Sequence, residues 1–217
     1  MKPFAQSALI LVAAAFGTSA FAQAKAPEPD YTVSFNAGAV TDYRYRGISQ
    51  SRLKPALQGG VDFSHKSGVY LGAWGSTIKW IKDGGGDANL ELDLYGGYKG
   101  SVGDIGYDVG LLRYQFPSHK LAVSPNTTEL YGAVTFGPAT LKYSHATTNL
   151  FGFANSKNSS YLDLSATFDM GDGWTVTPHI GHQKVKNNGA FSYTDYSVTV
   201  GKDLGNGLSA SAMVVGT

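Results

Sequence analysis

From residue 31 onward, apolar and polar side chains alternate with a period of two, and no helical periodicity appears. In "NLELDLYGGY" (89–98), Leu90, Leu92 and Leu94 share one face while Glu91 and Asp93 share the other. "YLDLSATFDM" (161–170) repeats this, with Leu162, Leu164 and Phe168 against Asp163, Ser165 and Thr167. In "YTVSFNAGAVTDYRYR" (31–46), odd positions carry Tyr31, Val33, Phe35, Tyr43 and Tyr45. Even positions carry Thr32, Ser34, Asn36, Asp42, Arg44 and Arg46, and Val40 and Thr41 break the pattern. Successive side chains of a strand point to opposite faces. The pattern therefore predicts eleven strands, near 31–46, 55–65, 68–80, 88–99, 104–114, 127–137, 139–147, 159–170, 174–184, 192–202 and 207–215. Most approach the roughly 9–11 residues that a tilted strand needs to cross a bilayer, where strands of soluble proteins commonly have about five or six. The segment 68–80 is ambiguous, because its apolar residues fall on both faces.

The connections sort by length. Tight ones, such as "KSG" (66–68), "SVGD" (101–104) and "LGNG" (204–207), alternate along the chain with long polar ones at 47–54, 81–87, 115–126, 148–158 and 185–191. Short turns at one end and long loops at the other are the pattern of an outer-membrane barrel. The expected fold is therefore all-β, an antiparallel transmembrane β-barrel. A secreted β-sandwich or lipocalin-like cup is the alternative, but it has no reason to sort its loops. Bacterial barrels have even strand numbers, so the expectation is twelve strands when complete, with a returning strand after 207–215 missing from the sequence.

Composition adds detail. Glycine makes up 28 of 217 residues, about 13%, against a usual share of about 7%. Together with 13 tyrosines it suits closely packed, half-solvated strands. Cysteine is absent, which excludes disulfides and thiolate chemistry. The first residues read as a leader: Lys2, then the apolar run "ALILVAAAF" (8–16), then "AFA" (20–22) before Gln23. That run is too short for a membrane-spanning helix. The expected organisation is a signal peptide over 1–22, a short linker over 23–30, and the barrel over 31–217, located in the outer membrane of a Gram-negative cell. Without Lys2 the chain carries 16 basic and 16 acidic residues, and no basic run exists. Nucleic acid is thus not a partner.

Enzyme chemistry finds little support. The five histidines are His65, His119, His145, His179 and His182, and neither a G-x-S-x-G elbow nor an HExxH motif occurs. Ser144 and His145 are strand neighbours and point to opposite faces. "GGG" (84–86), between Asp83 and Asp87, lacks the context of a phosphate loop and reads as a flexible external tip. No cofactor or metal is implied. The lumen is more informative. With the N-terminus on the periplasmic side, Asp42, Arg44 and Arg46 fall near the external mouth. Glu91, Asp93, Glu129, Asp163 and Asp195 fall on the inner face at the same level, with Asp62 and Lys142 deeper. Tyr43 and Tyr45 then face the outer interface. These charges make either a packed salt-bridge network filling the barrel or a constriction whose acid excess favours cations. The expected function is porin-like passive passage of small polar solutes or ions. A non-conducting structural or surface-binding barrel is the alternative, and a barrel enzyme the third. The expected partners are outer-membrane lipid, the barrel assembly machinery and the solutes themselves. A homo-oligomer stays open, because alternation carries no sign of an interface.

The segment "TDYRYRGISQSRLKPALQGGVDFSHKSGVYLGAWGS" (41–76) resembles the opening of the TorF-type porin family, the proteobacterial Gcw_chp outer-membrane proteins. The residues that carry the likeness are an "SDYR(F/Y)RGISQ"-like run at Thr41–Gln50, "PAxQGGxD" at Pro55–Asp62 and "HxSGxYxGxW" at His65–Trp74. A looser similarity continues through "ELDLYGGY" and "YLDLSATF". The resemblance implies an outer-membrane barrel. It also implies a final strand with a terminal aromatic residue, which does not follow "SAMVVGT" here.

Overall fold

The alternating segments pair into one continuous antiparallel sheet in a computed structural model that describes residues 6–13 and 29–217. The strands are β1 (Gln6–Ala13), β2 (Tyr31–Val40), β3 (Arg44–Tyr45), β4 (Ile48–Ser49), β5 (Ala56–His65), β6 (Val69–Thr77), β7 (Leu90–Val102) and β8 (Ile105–Gln115). They continue as β9 (Thr127–Phe136), β10 (Ala139–Ala146), β11 (Ser160–Ala166), β12 (Phe168–Asp169), β13 (Trp174–Lys184), β14 (Tyr193–Gly205) and β15 (Leu208–Gly216). One helical turn, α1 (Trp80–Asp83), and a 3-10 turn at Gly189–Phe191 lie in the long connections. Apart from the small β3–β4 hairpin, each strand pairs with its neighbours in the chain. The sheet closes because β1 also pairs with β15 at the other end of the chain, while β11 and its continuation β12 both pair with β13. With β11 and β12 counted as one, the ring has twelve strands.

Eleven of these correspond to the strands expected from alternation. The twelfth place, between β2 and β15, is taken by Gln6–Ala13, which pairs antiparallel with both. That segment overlaps the apolar run of the expected leader. Lys2, the "AFA" signal and Gln23 lie outside the described residues.

The two faces of the wall differ as the period-two pattern requires. Phe35, Leu57, Leu71, Val109, Leu130, Leu141, Leu162, Ile180 and Val198 are exposed on the outer face all around the ring. Every ladder is satisfied by neighbouring strands, so such a surface can face lipid. No helix among the described residues is long and apolar enough to cross a membrane.

Glycine and tyrosine have a joint role inside. Tyr70 stands opposite Gly97, Tyr95 opposite Gly72, and Tyr131 opposite Gly110. A Cβ added at any of these glycines would fall inside van der Waals contact with the facing tyrosine. The rings can lie flat across the neighbouring strand because the glycines leave the space. Their hydroxyls then reach inward acids: Tyr70 donates to Asp108 at 2.6 Å and Tyr95 to Asp62 at 2.5 Å. Tyr70 and Tyr131 also share a hydrogen bond. Lys142 sits 4.1 Å from the centre of the Tyr131 ring. The ambiguity of 68–80 resolves here: Tyr70 and Trp74 face inward, and Leu71 faces outward.

The largest hydrophobic cluster sits inside the barrel at its long-loop end. It is built on Val40, Tyr43, Ile78, Ile81, Tyr114 and Phe116, with Tyr45, Trp74, Trp80 and Phe151 packed against it. Toward the short-turn end the lumen is wetter, and the inward residues Thr32, Ser34 and Asn36 are exposed.

Candidate functional site

The first long connection does not run over the rim. The strand expected over 31–46 ends at Val40, and residues 41–55 turn into the barrel. There β3 and β4 form a hairpin with Arg46 and Gly47 at its tip, both at positive φ (46° and 79°). Two central residues at positive φ match the type I′ turn that suits a two-residue hairpin. For arginine this conformation is uncommon, so surrounding contacts must hold it.

Those contacts are strong. Arg46 makes a two-pronged pair with Glu129 of β9, at 3.0 and 2.7 Å, and donates to Gln183 of β13 at 2.6 Å. Its guanidinium lies 4.2 Å from the centre of the Tyr161 ring and 4.8 Å from that of Tyr45. β9 lies five places round the ring from β2, so this arginine spans the lumen. The tip itself is close to the wall, since a Cβ on Gly47 would meet the Cβ of Asp195 at 2.7 Å.

Asp42 organises the base of the hairpin. Its carboxylate accepts from Arg44 Nε at 2.5 Å, Ser49 Oγ at 2.5 Å, Ser51 Oγ at 3.0 Å and the Leu53 amide at 3.1 Å. Arg44 also donates to the Gly47 carbonyl at 2.9 Å. The Gln50 carbonyl accepts from the amides of Lys79 and Trp80, tying the loop to α1.

Tyr43 and Tyr45 depart from the expectation that they face the outer interface. Tyr43 is buried, donates to Glu91 at 3.0 Å and packs edge-on against Trp74. Tyr45 donates to the Tyr114 hydroxyl at 2.8 Å and packs against Phe151. The expectation assumed an extended strand through Arg46, in which neighbours oppose each other. Once the chain leaves the ladder at Val40, that rule no longer applies, and all four of Tyr43, Arg44, Tyr45 and Arg46 lie within the barrel mouth.

The other charges at this level fall into small groups. Asp163 is 2.5 Å from His179 Nε2, and Asp195 is 3.7 Å from His179 Nδ1. Tyr161 donates to Asp195 at 2.9 Å. Asp93 is buried, and its Oδ1 has no partner among the described residues. Asp42, Glu91, Asp93, Glu129 and Asp195 are buried, whereas Arg44 and Asp163 are half-buried, and the Arg46 side chain is 8% exposed. Arg44, Arg46, Asp163, Asp195 and His179 border a cavity of about 210 Å³, which Tyr161, Met213 and Val215 also line. His179 and the tyrosines were missed in the sequence, since a lone His or Tyr on an inner face carries no motif. The signal available for His179 was its parity, which places it with Asp163 and Asp195 on the inner face.

The remaining loops are clipped at the surface. Arg52 pairs with Asp83, and Lys120 with Asp87 at 2.8 Å. These hydrogen bonds hold both carboxyls below the usual range. The acids flanking "GGG" thus each face a cation. Among the described residues, no group of three His, Asp or Glu side chains is arranged to hold a metal ion.

A family model described as "Bacterial protein of unknown function (Gcw_chp)" matches residues 23–217. Among curated proteins, none matches. Similar solved structures include OccD3 (OpdP) of Pseudomonas aeruginosa, at 12% identity and a TM-score of 0.40, covering 88% of this chain and 66% of the other. OccK2 (OpdF) of Pseudomonas aeruginosa, crystallised with glucuronate, gives 13% identity and 0.39, covering 85% and 65%. A BenF-like porin from Pseudomonas fluorescens gives 9% and 0.37, covering 84% and 62%. The chain therefore spans just under two thirds of the length of these structures.

Proposed function

The chain belongs to the Gcw_chp family, and from that premise, with its closed ring, we propose an outer-membrane barrel that passes small polar solutes or ions passively. The observation that carries the reading is the arrangement of the lumen. A polar interior, wet toward the short turns, meets a single hairpin folded into the long-loop end. The apolar outer belt supports a lipid-facing wall, and the sorting of the loops supports placing the long-loop end outside the cell. In this reading the β3–β4 hairpin sets the constriction. Asp42, Arg44, Arg46, Glu91, Asp93, Glu129, Asp163 and Asp195 border the passage when the hairpin is displaced. Six acids against two arginines favour cations weakly.

Residues 1–22 are read as a leader removed on export, which the start of the family match at Gln23 supports. Removal takes Gln6–Ala13 out of the ring, and closure then requires another strand between β2 and β15, because an open sheet edge cannot face lipid. The barrel assembly machinery is the expected route of insertion.

The buried ion pairs favour a second reading, in which the hairpin is a permanent plug. Planar-bilayer recordings separate the two. Conductance steps with a reversal potential on the cation side are expected of the wild-type protein. Silence in both the wild type and a variant lacking the hairpin, or a clear anion preference, would reject the proposed passage.

A further inference from the structure

The long-loop end of the barrel is unevenly charged around its rim. Between Glu129 and Asp163, and again between Asp172 and Asp195, the chain holds no acidic residue. These stretches are neighbours in the ring, since β11 pairs with both β10 and β13. Their long connections are tied to each other as well. The Lys186 amide donates to Ser159 Oγ, and the Asn187 and Asn188 side chains donate to the carbonyls of Asn155 and Ala154, each at 2.9 Å. Lys157, Lys184 and Lys186 are exposed on this joined surface, while Val185 between two of them is buried beside Ala146 and Leu150. Glu129, Asp163 and Asp195, the acids that end the stretches, are engaged inside the barrel. On the loops carrying Asp83 and Asp87, by contrast, each exposed acid is matched by its own cation.

The register sets these lysines at the upper border of the apolar belt. On the outer face, Leu164 of β11 stands between Leu141 of β10 and Ile180 of β13. Two residues nearer the loops, Leu162 stands between Tyr143 and His182, and two further on, Ser160 stands between His145 and Lys184. The wall thus passes from aliphatic to mixed to cationic between Leu164 and Ser160, roughly 13 Å of strand. Exposed Trp174 starts β13 on the same face at the short-turn end, and Lys184 ends it, 11 residues in all. Tilted by about 40°, such a strand rises about 25 Å, the height of the apolar band of an outer-membrane barrel. A soluble acidic partner would need cations only on the loop tips. Here they reach down the outer face to the level of lipid headgroups.

We propose that Lys157, Lys184 and Lys186 bind the phosphate groups of an anionic glycolipid in the outer leaflet, whose acyl chains lie along Leu162, Leu164 and Ile180. Lysine serves phosphate as a point charge, and each one near an anionic lipid surface contributes about 1 kcal/mol. No carboxylate on this part of the outer face opposes the headgroup. The inference rests on the reading that puts the long-loop end outside the cell.

The test uses the full-length protein in neutral detergent, with lipid A, a diphosphorylated acylated sugar, as the probe. Native mass spectrometry is expected to show one saturable lipid adduct. Monophosphorylated lipid A should bind several-fold more weakly and the fully dephosphorylated form more weakly still. Lys157→Gln, Lys184→Gln and Lys186→Gln together should weaken lipid A at least about tenfold. Lys54→Gln with Lys79→Gln, beside β5 and β6 on the far side of the ring, should stay within about twofold. Equal binding of the dephosphorylated lipid would overturn the proposal, and that comparison needs no variant. A triple variant that keeps its heat-modifiable migration and binds within twofold would overturn it too, as would equal losses in the two variants. Displacement of the lipid by an equal concentration of inorganic phosphate would assign the lysines to a soluble anion instead. Orientation is read separately. The chain has no cysteine, so Asn187→Cys on intact cells should react with a membrane-impermeant maleimide. Labelling without a lipid adduct overturns this site alone. An adduct without labelling overturns the orientation and with it the outer-leaflet source. None of these measurements involves ion flow, so silent bilayers leave the site standing.

Discussion

Arg46 is the residue on which the mouth is built. It adopts a backbone conformation uncommon for arginine and holds it through Glu129, Gln183 and the Tyr161 ring. Its pair with Glu129 is buried, so removing one partner leaves a charge uncompensated. Arg46→Ala should therefore cost about 3–5 kcal/mol of unfolding free energy, measured by urea titration in lipid vesicles. Replacing the pair with Arg46→Met and Glu129→Leu together should recover most of that loss. If the double variant is no better than Arg46→Ala, the pair is not the source. Gly110 offers a test of the tyrosine packing. Its Cβ position is taken by the Tyr131 hydroxyl and ring, with the Gly96 carbonyl at 2.8 Å. Gly110→Ala should destabilise the barrel by about 1–3 kcal/mol. Combined with Tyr131→Ala, it should show a coupling of at least about 0.5 kcal/mol in a double-mutant cycle; additive effects would place the strain elsewhere. Neither role was legible from a single residue. Glycine next to tyrosine reads as composition until the register sets the two face to face.

At the scale of elements, the hairpin differs from every ring strand, because it makes no ladder with the wall. Its two strands pair only with each other. Replacing residues 43–50 with a Gly-Ser linker should therefore leave a closed barrel, seen as retained heat-modifiable migration in electrophoresis. Under the proposed function, it should also raise single-channel conductance several-fold. Unchanged conductance in a folded barrel would show that the hairpin does not set the constriction. The sequence held two signs of this element. The alternation breaks at Val40 and Thr41, where β2 ends, and "RG" can supply the positive φ of a tight turn. Yet the parity of "DYRYR" resumes after the break, and a turn inward looks the same as a strand continuing outward until the rest of the barrel is present. The other expected strands stand close to where the pattern put them, although the faces of 68–80 were settled only by the structure.

At the scale of the whole molecule, closure is the governing constraint. A sheet with lipid on one side must leave no unpaired edge, and here β1 completes the ring between β2 and β15. Under the proposed reading, N-terminal processing leaves a protein in the outer membrane that begins at Gln23. N-terminal sequencing of the outer-membrane fraction checks this directly, and a chain beginning at Met1 would instead assign Gln6–Ala13 a lasting place in the wall. The fold also concentrates its apolar interior at one end. The mouth is packed with aromatic side chains while the far half of the lumen stays polar, so unfolding is expected to begin at the short-turn end. Hydrogen exchange should be slower for the inward-turned loop 41–55 than for the turn at Ser101–Asp104. The reverse order would contradict the packing described.

What the sequence determined by itself was most of the wall: eleven of its strands, the parity of most of their faces and the sorting of short and long connections, whereas the place of Gln6–Ala13 between β2 and β15 was not expected. The expected features follow from a period of two and from the chemistry of turns, both of which are local. It also led to the expectation that eight charged residues gather on the inner side of one end. Only the tertiary structure decided how they pair, which tyrosines cross which glycines, and that the first loop folds inward. Each of these depends on contacts between residues distant in the chain, such as Arg46 and Glu129, which come into reach only when a ring of twelve strands closes around them.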